Sequence, residues 1–301
     1  MHYLAFIIIY PILLFISILP FRVLYFFSDL AYVLVYYIIG YRKSTVRLNL
    51  KLTLPHLSGR DRLKIEKKFY HHFCDTFVEM IKTMTISDRE INKRFKLENM
   101  ELVTEFEKKG KSVVLICAHY GSYEWLLVMN RFLTTHKGFG IYKRINNKYF
   151  DKLVRDIRGK FDAELIDTKE TIPVMKDNQR KGILGYYGFI SDQSPKIHRV
   201  PYWGQFFGME VPVHAGAEML AKKLDMNVMF VKGKKARRGY YSAEFIPFEG
   251  TPKDTPLYEI TDRFLRLLEE QIREVPEYYL WTHKRFKHRR NDPPATNGTT
   301  A

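Results

Sequence analysis

The sequence predicts an α/β fold in which a largely parallel central sheet is flanked by helices, preceded by an N-terminal hydrophobic helical membrane anchor. From Lys96 onward, short β-branched and apolar runs alternate with helical segments, which is typical of a parallel sheet covered on both faces. Before that point, the first forty residues are almost entirely apolar. The 301 residues, 46% of them hydrophobic, are enough for one substantial core.

The N-terminal segment is predicted to hold the protein at a membrane. No charged residue occurs from Tyr3 to Leu19, and a second apolar run extends from Leu30 to Ile39. A spanning helix needs about 20 apolar residues, and Pro11 weakens the first run, so a pair of buried core helices is the alternative. Four basic residues follow directly, as expected of a cytoplasmic flank: Arg42, Lys43, Arg47 and Lys51. We expect residues 1–40 to be the anchor, with the bulk of the protein on the cytoplasmic face.

The net charge restricts the class of partner. The chain has 49 basic and 33 acidic residues, a formal net charge of +16. This balance favours a polyanion, either nucleic acid or an anionic membrane surface. The apolar N-terminus favours the membrane surface and argues against nucleic acid. With only two cysteines, Cys74 and Cys117, a reducing compartment is the simpler interpretation.

Residues 42 to about 85 are predicted to be helical, with a break at Leu54-Pro55 and a new start between Ser58 and Asp61. Apolar residues recur there at a spacing of four, which indicates one apolar stripe: Ile65, Phe69, Phe73, Phe77 and Ile81. The histidines and carboxylate between His71 and Asp75 are not expected to bind a metal, because adjacent helix positions point in different directions.

The remainder is predicted to alternate between strands and helices. Strands are expected at 112–118, 139–142, 164–166, 182–189, 227–231 and 240–246. Helices are expected at 123–133, 148–161, 171–180, 214–224 and 256–275. Residues 41–290 would form the catalytic domain, and the polar segment 291–301 is predicted to be a disordered tail.

The loop after the strand at 112–118 carries the candidate chemistry. His119 lies at the strand's carboxyl end, where parallel α/β sheets build their sites. Gly121 permits a tight turn and Ser122 suits a helix N-cap, which places Glu124 in the first helical turn. A carboxylate that accepts one ring N–H fixes the tautomer and leaves the other nitrogen as a base. We therefore expect Glu124 to orient His119; a capped helix start without chemical function is the alternative.

No nucleophile elbow is found beside His119, so the base would deprotonate a substrate hydroxyl. The segment AHYGSYEW, residues 118–125, resembles the His-x4-acid motif of the glycerolipid acyltransferase superfamily. More narrowly, it resembles the lipid A biosynthesis (lauroyl/myristoyl) acyltransferases. Further blocks resemble this branch in the same order along the chain: Tyr41-Arg42-Lys43 with Asn49-Leu50, Tyr142 to Asn147, Ser191-Asp192-Gln193, Val200 to Gly204, and Tyr279 to Arg285.

The resemblance implies transfer of a fatty acyl chain from acyl carrier protein to a hydroxyl of a lipid A-type glycolipid precursor at the bacterial inner membrane. It implies that His119 is the general base and Glu124 its partner. Asn147, Asp192 and Gln193 would bind the acceptor or shape the site. No metal or cofactor is expected, because a thioester is already activated. The partners would be acyl carrier protein, the glycolipid acceptor and the anionic membrane surface.

One position departs from the family pattern. Lys143 stands where the family usually has arginine, and Arg144 follows it where proline is common. Either residue could bind an oxyanion or phosphate, although only arginine can do so bidentately. Neighbours in an extended segment point to opposite faces, so only one is expected to reach the site. Motif position favours Lys143, and chemistry favours Arg144. We expect Lys143 to reach the site, because position in a motif constrains direction more than residue type does.

Two other functions fit the same sequence. A sister acyltransferase could act on a lysophospholipid or an amino-acid-linked lipid, since the His-x4-acid motif is common to the superfamily. A basic, lipid-binding membrane scaffold would need no chemistry at His119.

Overall fold

The computed structural model describes residues 2–290, and the predicted tail at 291–301 lies outside them. In this range seven strands form the main sheet: β1 (Phe95–Glu98), β2 (Val113–Cys117), β3 (Lys137–Tyr142), β4 (Glu164–Asp167), β5 (Gly185–Ile190), β8 (Asn227–Arg237) and β9 (Tyr240–Pro247). A separate antiparallel hairpin consists of β6 (Tyr202–Phe206) and β7 (Met209–Val213). The α/β class predicted from the sequence is confirmed.

The main sheet has the strand order β1-β9-β8-β2-β5-β3-β4. Strands β8, β2, β5, β3 and β4 run parallel to one another, whereas β9 is antiparallel to β8 and parallel to β1. Gly239, with φ of 72°, makes the tight turn between β8 and β9, and such a turn forces the two strands to be antiparallel. The sequence analysis missed β1 and the β6–β7 hairpin, because both are short and lack a long apolar run.

Helices cover the sheet and precede it. They are α3 (Lys43–Thr53), α4 (Gly59–Lys82), α5 (Asp88–Arg94), α6 (Met100–Lys108), α7 (Lys148–Gly159), α8 (Thr171–Arg180), α9 (Gly216–Lys223) and α10 (Glu259–Glu274). A 3₁₀ helix at Tyr123–Phe132 connects β2 to β3. The predicted break before α4 is confirmed, and Ser58 caps that helix by accepting the Asp61 N–H at 3.1 Å.

The N-terminal segment forms α1 (His2–Ile18) and α2 (Phe21–Tyr32), and α2 continues in π-helical turns to Ile39. Phe21–Ile39, 19 residues with a mean hydropathy of 1.5, is long and apolar enough to cross a membrane. An N-terminal apolar helix is therefore present. It includes Arg22 and Asp29, which lie between the two apolar runs of the sequence.

Polar contacts join α2 to the rest of the protein. The Ser28 hydroxyl donates to Asp75 at 2.8 Å, and the Tyr36 hydroxyl donates to Glu66 at 2.9 Å. Both carboxylates belong to α4 and are buried. Arg238, in the β8–β9 turn, binds Asp75 from the opposite side. One face of α2 is therefore fixed against α4 and the sheet.

The opposite face of the N-terminal helices is apolar and exposed. Phe15 is 66% exposed on α1, and Ile38 is 73% exposed on the extension of α2. Large apolar side chains that share this exposure include Ile8, Ile12, Ile18, Phe26, Leu30 and Tyr37. A surface of this kind is typical of contact with lipid.

Strand β2 lies at the centre of the core. Val114 and Ile116 pack in the apolar cluster on one face of the sheet, and Val113, Leu115 and Cys117 pack in the cluster on the other face. All five residues are at most 6% exposed. This burial on both faces explains the continuous apolar run in the sequence. It also means that the residues directly after β2 are attached to a rigid strand.

Candidate active site

His119 lies in the loop that leaves the carboxyl end of β2, as predicted. Tyr120 pairs with Tyr279 in an isolated antiparallel bridge. Gly121 has φ of 59°, and its N–H donates to the Tyr278 carbonyl at 3.0 Å. The positive φ explains the glycine at this turn. The chain on both sides of His119 is therefore held by backbone hydrogen bonds from a distant segment.

A buried carboxylate holds the imidazole. Nδ1 of His119 lies 2.8 Å from Oδ1 of Asp192, and the His119 backbone N–H donates to the same oxygen at 3.2 Å. Asp192 is 1% exposed and follows β5, the parallel neighbour of β2. The two loops therefore leave the sheet at the same edge. Asp192 accepts the Nδ1 proton, which leaves Nε2 unprotonated and available as a base.

The charges of this pair determine both pKa values. Burial alone would lower the pKa of His119, but the negative charge and hydrogen bond of Asp192, with the charge of Glu124, outweigh it and raise the pKa above 6.5. Burial alone would raise the pKa of Asp192, but the His119 charge and hydrogen bonds outweigh it and lower the pKa below 3.8. Asp192 is therefore ionised wherever His119 titrates.

Glu124 does not make the contact that was expected of it. Its two carboxylate oxygens accept from Nε of Arg158 at 2.8 Å and from Nη2 of Arg158 at 2.5 Å. The orienting hydrogen bond to His119 comes from Asp192 instead. The physical reason is competition, because the guanidinium offers Glu124 two parallel charged donors. Glu124 still lies near enough for its charge to raise the pKa of His119.

Arg158, on α7, was not among the residues predicted for the site. Its side chain is 25% exposed, and Glu124 holds its pKa above the usual value despite the opposing effect of burial. Nε and Nη2 bind Glu124, whereas Nη1 has no protein hydrogen-bond partner within residues 2–290. Sequence offered one weak signal for this residue, namely its position on the strongly amphipathic helix α7.

The remaining predicted site residues separate into two groups. Gln193 lies at the site, with Nε2 3.5 Å from Nδ1 of His119. Asn147 caps α7 by accepting the Tyr149 N–H at 3.0 Å. Lys143 and Arg144 are both exposed, and Arg144 pairs with Asp167 at 3.2 Å. The structure brings His119, Glu124, Asp192 and Gln193 together. Within residues 2–290, Asn147, Lys143 and Arg144 make no hydrogen bond or ion pair with these four side chains.

His119 and Glu124 open onto an apolar pocket of about 210 Å³. One wall is α4, and three residues of its predicted apolar stripe line the pocket: Phe69, Phe73 and Phe77. Tyr41 and Leu280 line other parts of it. An unprotonated imidazole nitrogen thus stands at the edge of a space that suits a hydrocarbon chain.

Comparison with known proteins identifies the family of this chain. The sequence profile of the bacterial lipid A biosynthesis acyltransferases matches residues 1–288. The chain belongs to this family. The sequence motifs resemble the same family, so the family predicted from the sequence is confirmed.

Three relatives give the extent of the similarity. The lipid A biosynthesis lauroyltransferase of Escherichia coli K12 is 24% identical over 256 residues, 84% of this chain and 82% of its own length. The lipid A biosynthesis palmitoleoyltransferase of the same organism is 23% identical over 252 residues, 82% of this chain and 79% of its own. A lipid A biosynthesis acyltransferase of Haemophilus influenzae is 22% identical over 255 residues, 83% of this chain and 79% of its own.

Proposed function

We propose that this protein transfers a fatty acyl chain from acyl carrier protein to a hydroxyl of a lipid A-type glycolipid precursor. The observation that carries the proposal is the His119–Asp192 hydrogen bond of 2.8 Å at the edge of an apolar pocket, in a chain of the lipid A biosynthesis acyltransferase family. The hydrogen bond orients a base beside a space that suits an acyl chain. Relatives in the same family are named for acyl transfer in lipid A biosynthesis.

The reaction begins with removal of a proton from the acceptor. Nε2 of His119 takes the hydroxyl proton as the oxygen attacks the thioester carbonyl, so that a C–O bond forms. Asp192 stabilises the imidazolium that results. When the tetrahedral intermediate collapses, the C–S bond breaks, and the imidazolium returns its proton to the thiolate of the carrier. The products are an ester on the glycolipid and the free carrier thiol.

Arg158 would stabilise the negative charge that develops on the carbonyl oxygen. Two of its nitrogens are fixed on Glu124, so the guanidinium is oriented before substrate binds. Nη1, which has no partner among the described residues, would donate to the oxyanion, and a preoriented charged donor is effective in a site with little water. In this proposal Glu124 acts by holding Arg158 and by adding negative charge near His119. Arg158 takes the role that the sequence analysis offered to Lys143 or Arg144.

The pocket beside His119 would receive the acyl chain of the donor. Phe69, Phe73 and Phe77 present apolar surface along α4, and Gln193 would bind polar groups of the acceptor close to the imidazole. The net charge of +16 suits both an acidic carrier protein and the phosphates of the acceptor.

Residues 1–40 would anchor the enzyme at the cytoplasmic face of the bacterial inner membrane. The exposed apolar side of α1 and α2 supports contact with lipid, and the basic residues that follow support a cytoplasmic position. Residues 41–290 would then carry the catalytic domain close to the bilayer, where a glycolipid acceptor is embedded.

Reconstitution tests the proposal. The purified full-length protein is mixed in detergent with acyl-carrier-protein thioesters and a hydroxyacylated, phosphorylated glucosamine disaccharide. The mass of the lipid product is then measured by mass spectrometry. We expect a mass increase of one acyl chain, lost in His119→Asn. Acylation of a lysophospholipid in place of the disaccharide would assign the sister activity, and transfer that persists in His119→Asn would refute the mechanism.

A further inference from the structure

One segment near the C-terminus holds both halves of the His119–Asp192 pair. In its first part, the Tyr278 carbonyl accepts the Gly121 N–H at 3.0 Å, and the Leu280 N–H donates to the His119 carbonyl at 3.1 Å. These bonds fix the loop that carries the imidazole. We call residues 278–285 the C-terminal segment.

The second part of the C-terminal segment holds the loop that carries Asp192. Nε2 of His283 accepts the Ser194 N–H at 3.2 Å. Nη1 of Arg285 donates to the Ser194 hydroxyl at 2.9 Å, and that hydroxyl donates to the Arg285 carbonyl at 2.9 Å. Ser194 lies two residues beyond Asp192, so these bonds restrain the loop from which the Asp192 carboxylate reaches the imidazole.

The other side of the C-terminal segment is fixed to the first helix after the N-terminal anchor. Nδ2 of Asn49 donates to the Trp281 and His283 carbonyls, both at 2.8 Å. Arg42 donates to the Thr282 carbonyl at 3.1 Å. The segment therefore has little freedom to move away from the two loops that it holds.

His283 acts here as an acceptor, which requires that Nε2 carry no proton and that Nδ1 carry one. Burial lowers the pKa of His283 to about 4, and Arg285, His119 and Arg42 act in the same direction against the opposing charge of Asp192. The imidazole of His283 is thus neutral throughout the range in which His119 titrates. Moreover, Leu280 and Thr282 line the pocket, whereas His283 does not.

We propose that His283 is a positioning residue for acyl transfer, whose neutral Nε2 holds the Ser194 N–H and thereby keeps Asp192 in place to orient His119. The proposal rests on the proposed function, because it assumes that His119 is the base. It assigns His283 to the geometry of the His119–Asp192 pair and gives it no contact with substrate.

The experiment compares three full-length variants. His283→Leu removes the acceptor, His283→Gln retains an acceptor oxygen, and Lys284→Ala changes an exposed neighbour as the control. For each, kcat/KM for acyl transfer is measured against pH, and the pKa of His119 is measured independently by NMR of histidine labelled with ¹⁵N in the ring. The charged groups that face His119 are Asp192, Glu124 and Arg158, and all of them are unchanged in these variants.

In His283→Leu we expect kcat/KM to fall about 10- to 100-fold, the usual effect of a misplaced catalytic group. The acid limb of the pH profile and the pKa of His119 should both move to lower pH, because Asp192 supports the imidazolium less well. His283→Gln should restore part of both, and Lys284→Ala should change neither. A loss of rate with an unmoved pKa of His119 would contradict the positioning role, as would an unchanged rate.

A measurement on the unaltered protein covers the case in which His283→Leu does not fold. The ¹⁵N chemical shifts of the ring should show that His283 is protonated at Nδ1 and unprotonated at Nε2 from about pH 5 to pH 8. A proton on Nε2 would overturn the proposal. The proposed function fails by a different result, namely no acyl transfer to the glucosamine disaccharide by the unaltered protein. The two failures are therefore distinguishable.

Discussion

Asp192 and His119 are 73 positions apart in sequence, and their side chains share a hydrogen bond of 2.8 Å. The pairing of β2 with β5 in parallel register places the two loops at one edge of the sheet. Glu124, five residues from His119, is instead held by Arg158. In this site the nearest carboxylate in sequence is not the hydrogen-bond partner of His119.

Replacing His119 tests the base directly. We expect His119→Asn to lower kcat by about 10² to 10⁴, the usual contribution of a general base. The melting temperature should stay close to that of the unaltered protein, because the asparagine amide can still donate a hydrogen bond to the buried carboxylate of Asp192. Steady-state kinetics and thermal melting are the measurements, and near-normal turnover would contradict the assignment.

Replacing Asp192 tests the His119–Asp192 pair through the pH dependence of kcat/KM. Asp192 raises the pKa of His119, so Asp192→Asn should lower that pKa. The base must be unprotonated to act, so the acid limb of kcat/KM should move to lower pH. The rate at its plateau should fall about 10²-fold or more, since the imidazole loses its orientation. An acid limb that stays in place would show that Asp192 does not set the pKa of the catalytic group.

Arg158 and Arg144 offer a matched pair of arginines. Arg158→Lys should lower kcat about 10- to 100-fold with a smaller change in KM, because lysine cannot hold Glu124 bidentately and also reach an oxyanion. Arg144→Ala should have little effect, because that side chain is 63% exposed and pairs with Asp167 at the surface. Lys143→Ala is likewise expected to cost little. A large loss in either of the last two variants would return the oxyanion role to that residue.

The pocket wall on α4 gives a prediction about the acyl chain. Thr76 lines the pocket between two of its phenylalanines, so Thr76→Phe should fill part of the 210 Å³. Transfer of long acyl chains should fall more than transfer of short ones, because only the long chains need the lost volume. Competition between carrier thioesters of two lengths, read by mass spectrometry, gives the ratio. An unchanged ratio would place the chain elsewhere.

Membrane binding should depend on the exposed face of α1. Ile12→Glu with Phe15→Glu puts two charges on side chains that are 53% and 66% exposed. The variant should float less with anionic vesicles, and its melting temperature in detergent should be unchanged. Met219→Glu, at an exposed position on α9, is the control and should bind as before. Equal flotation of all three proteins would contradict a lipid contact at this face.

Removing the whole segment should have a different effect. Deletion of residues 1–40 should lower stability as well as membrane binding, because the buried carboxylates Asp75 and Glu66 would each lose a hydrogen bond. A truncated protein that melts like the intact one would show that residues 41–290 fold independently.

The sequence by itself determined the fold class, the start of α4 directly after Ser58 and the position of His119. Each follows from local chemistry: a β-branched run buried on both faces, an N-cap after a proline, and a polar residue at the end of a buried strand. The family could also be recognised, because its motifs follow one another in order along the chain.

Only the tertiary structure decided which side chains meet. Strand order placed Asp192 beside His119, and α7 brought Arg158 to Glu124. The C-terminal segment reached the loop of His119 through Leu280 and the loop of Asp192 through His283. Hydrogen bonds between residues more than 30 positions apart depend on how sheets and helices pack, and no periodicity in the chain encodes that packing. The same packing left Lys143 at the surface, although its place in the motif had suggested a position in the site.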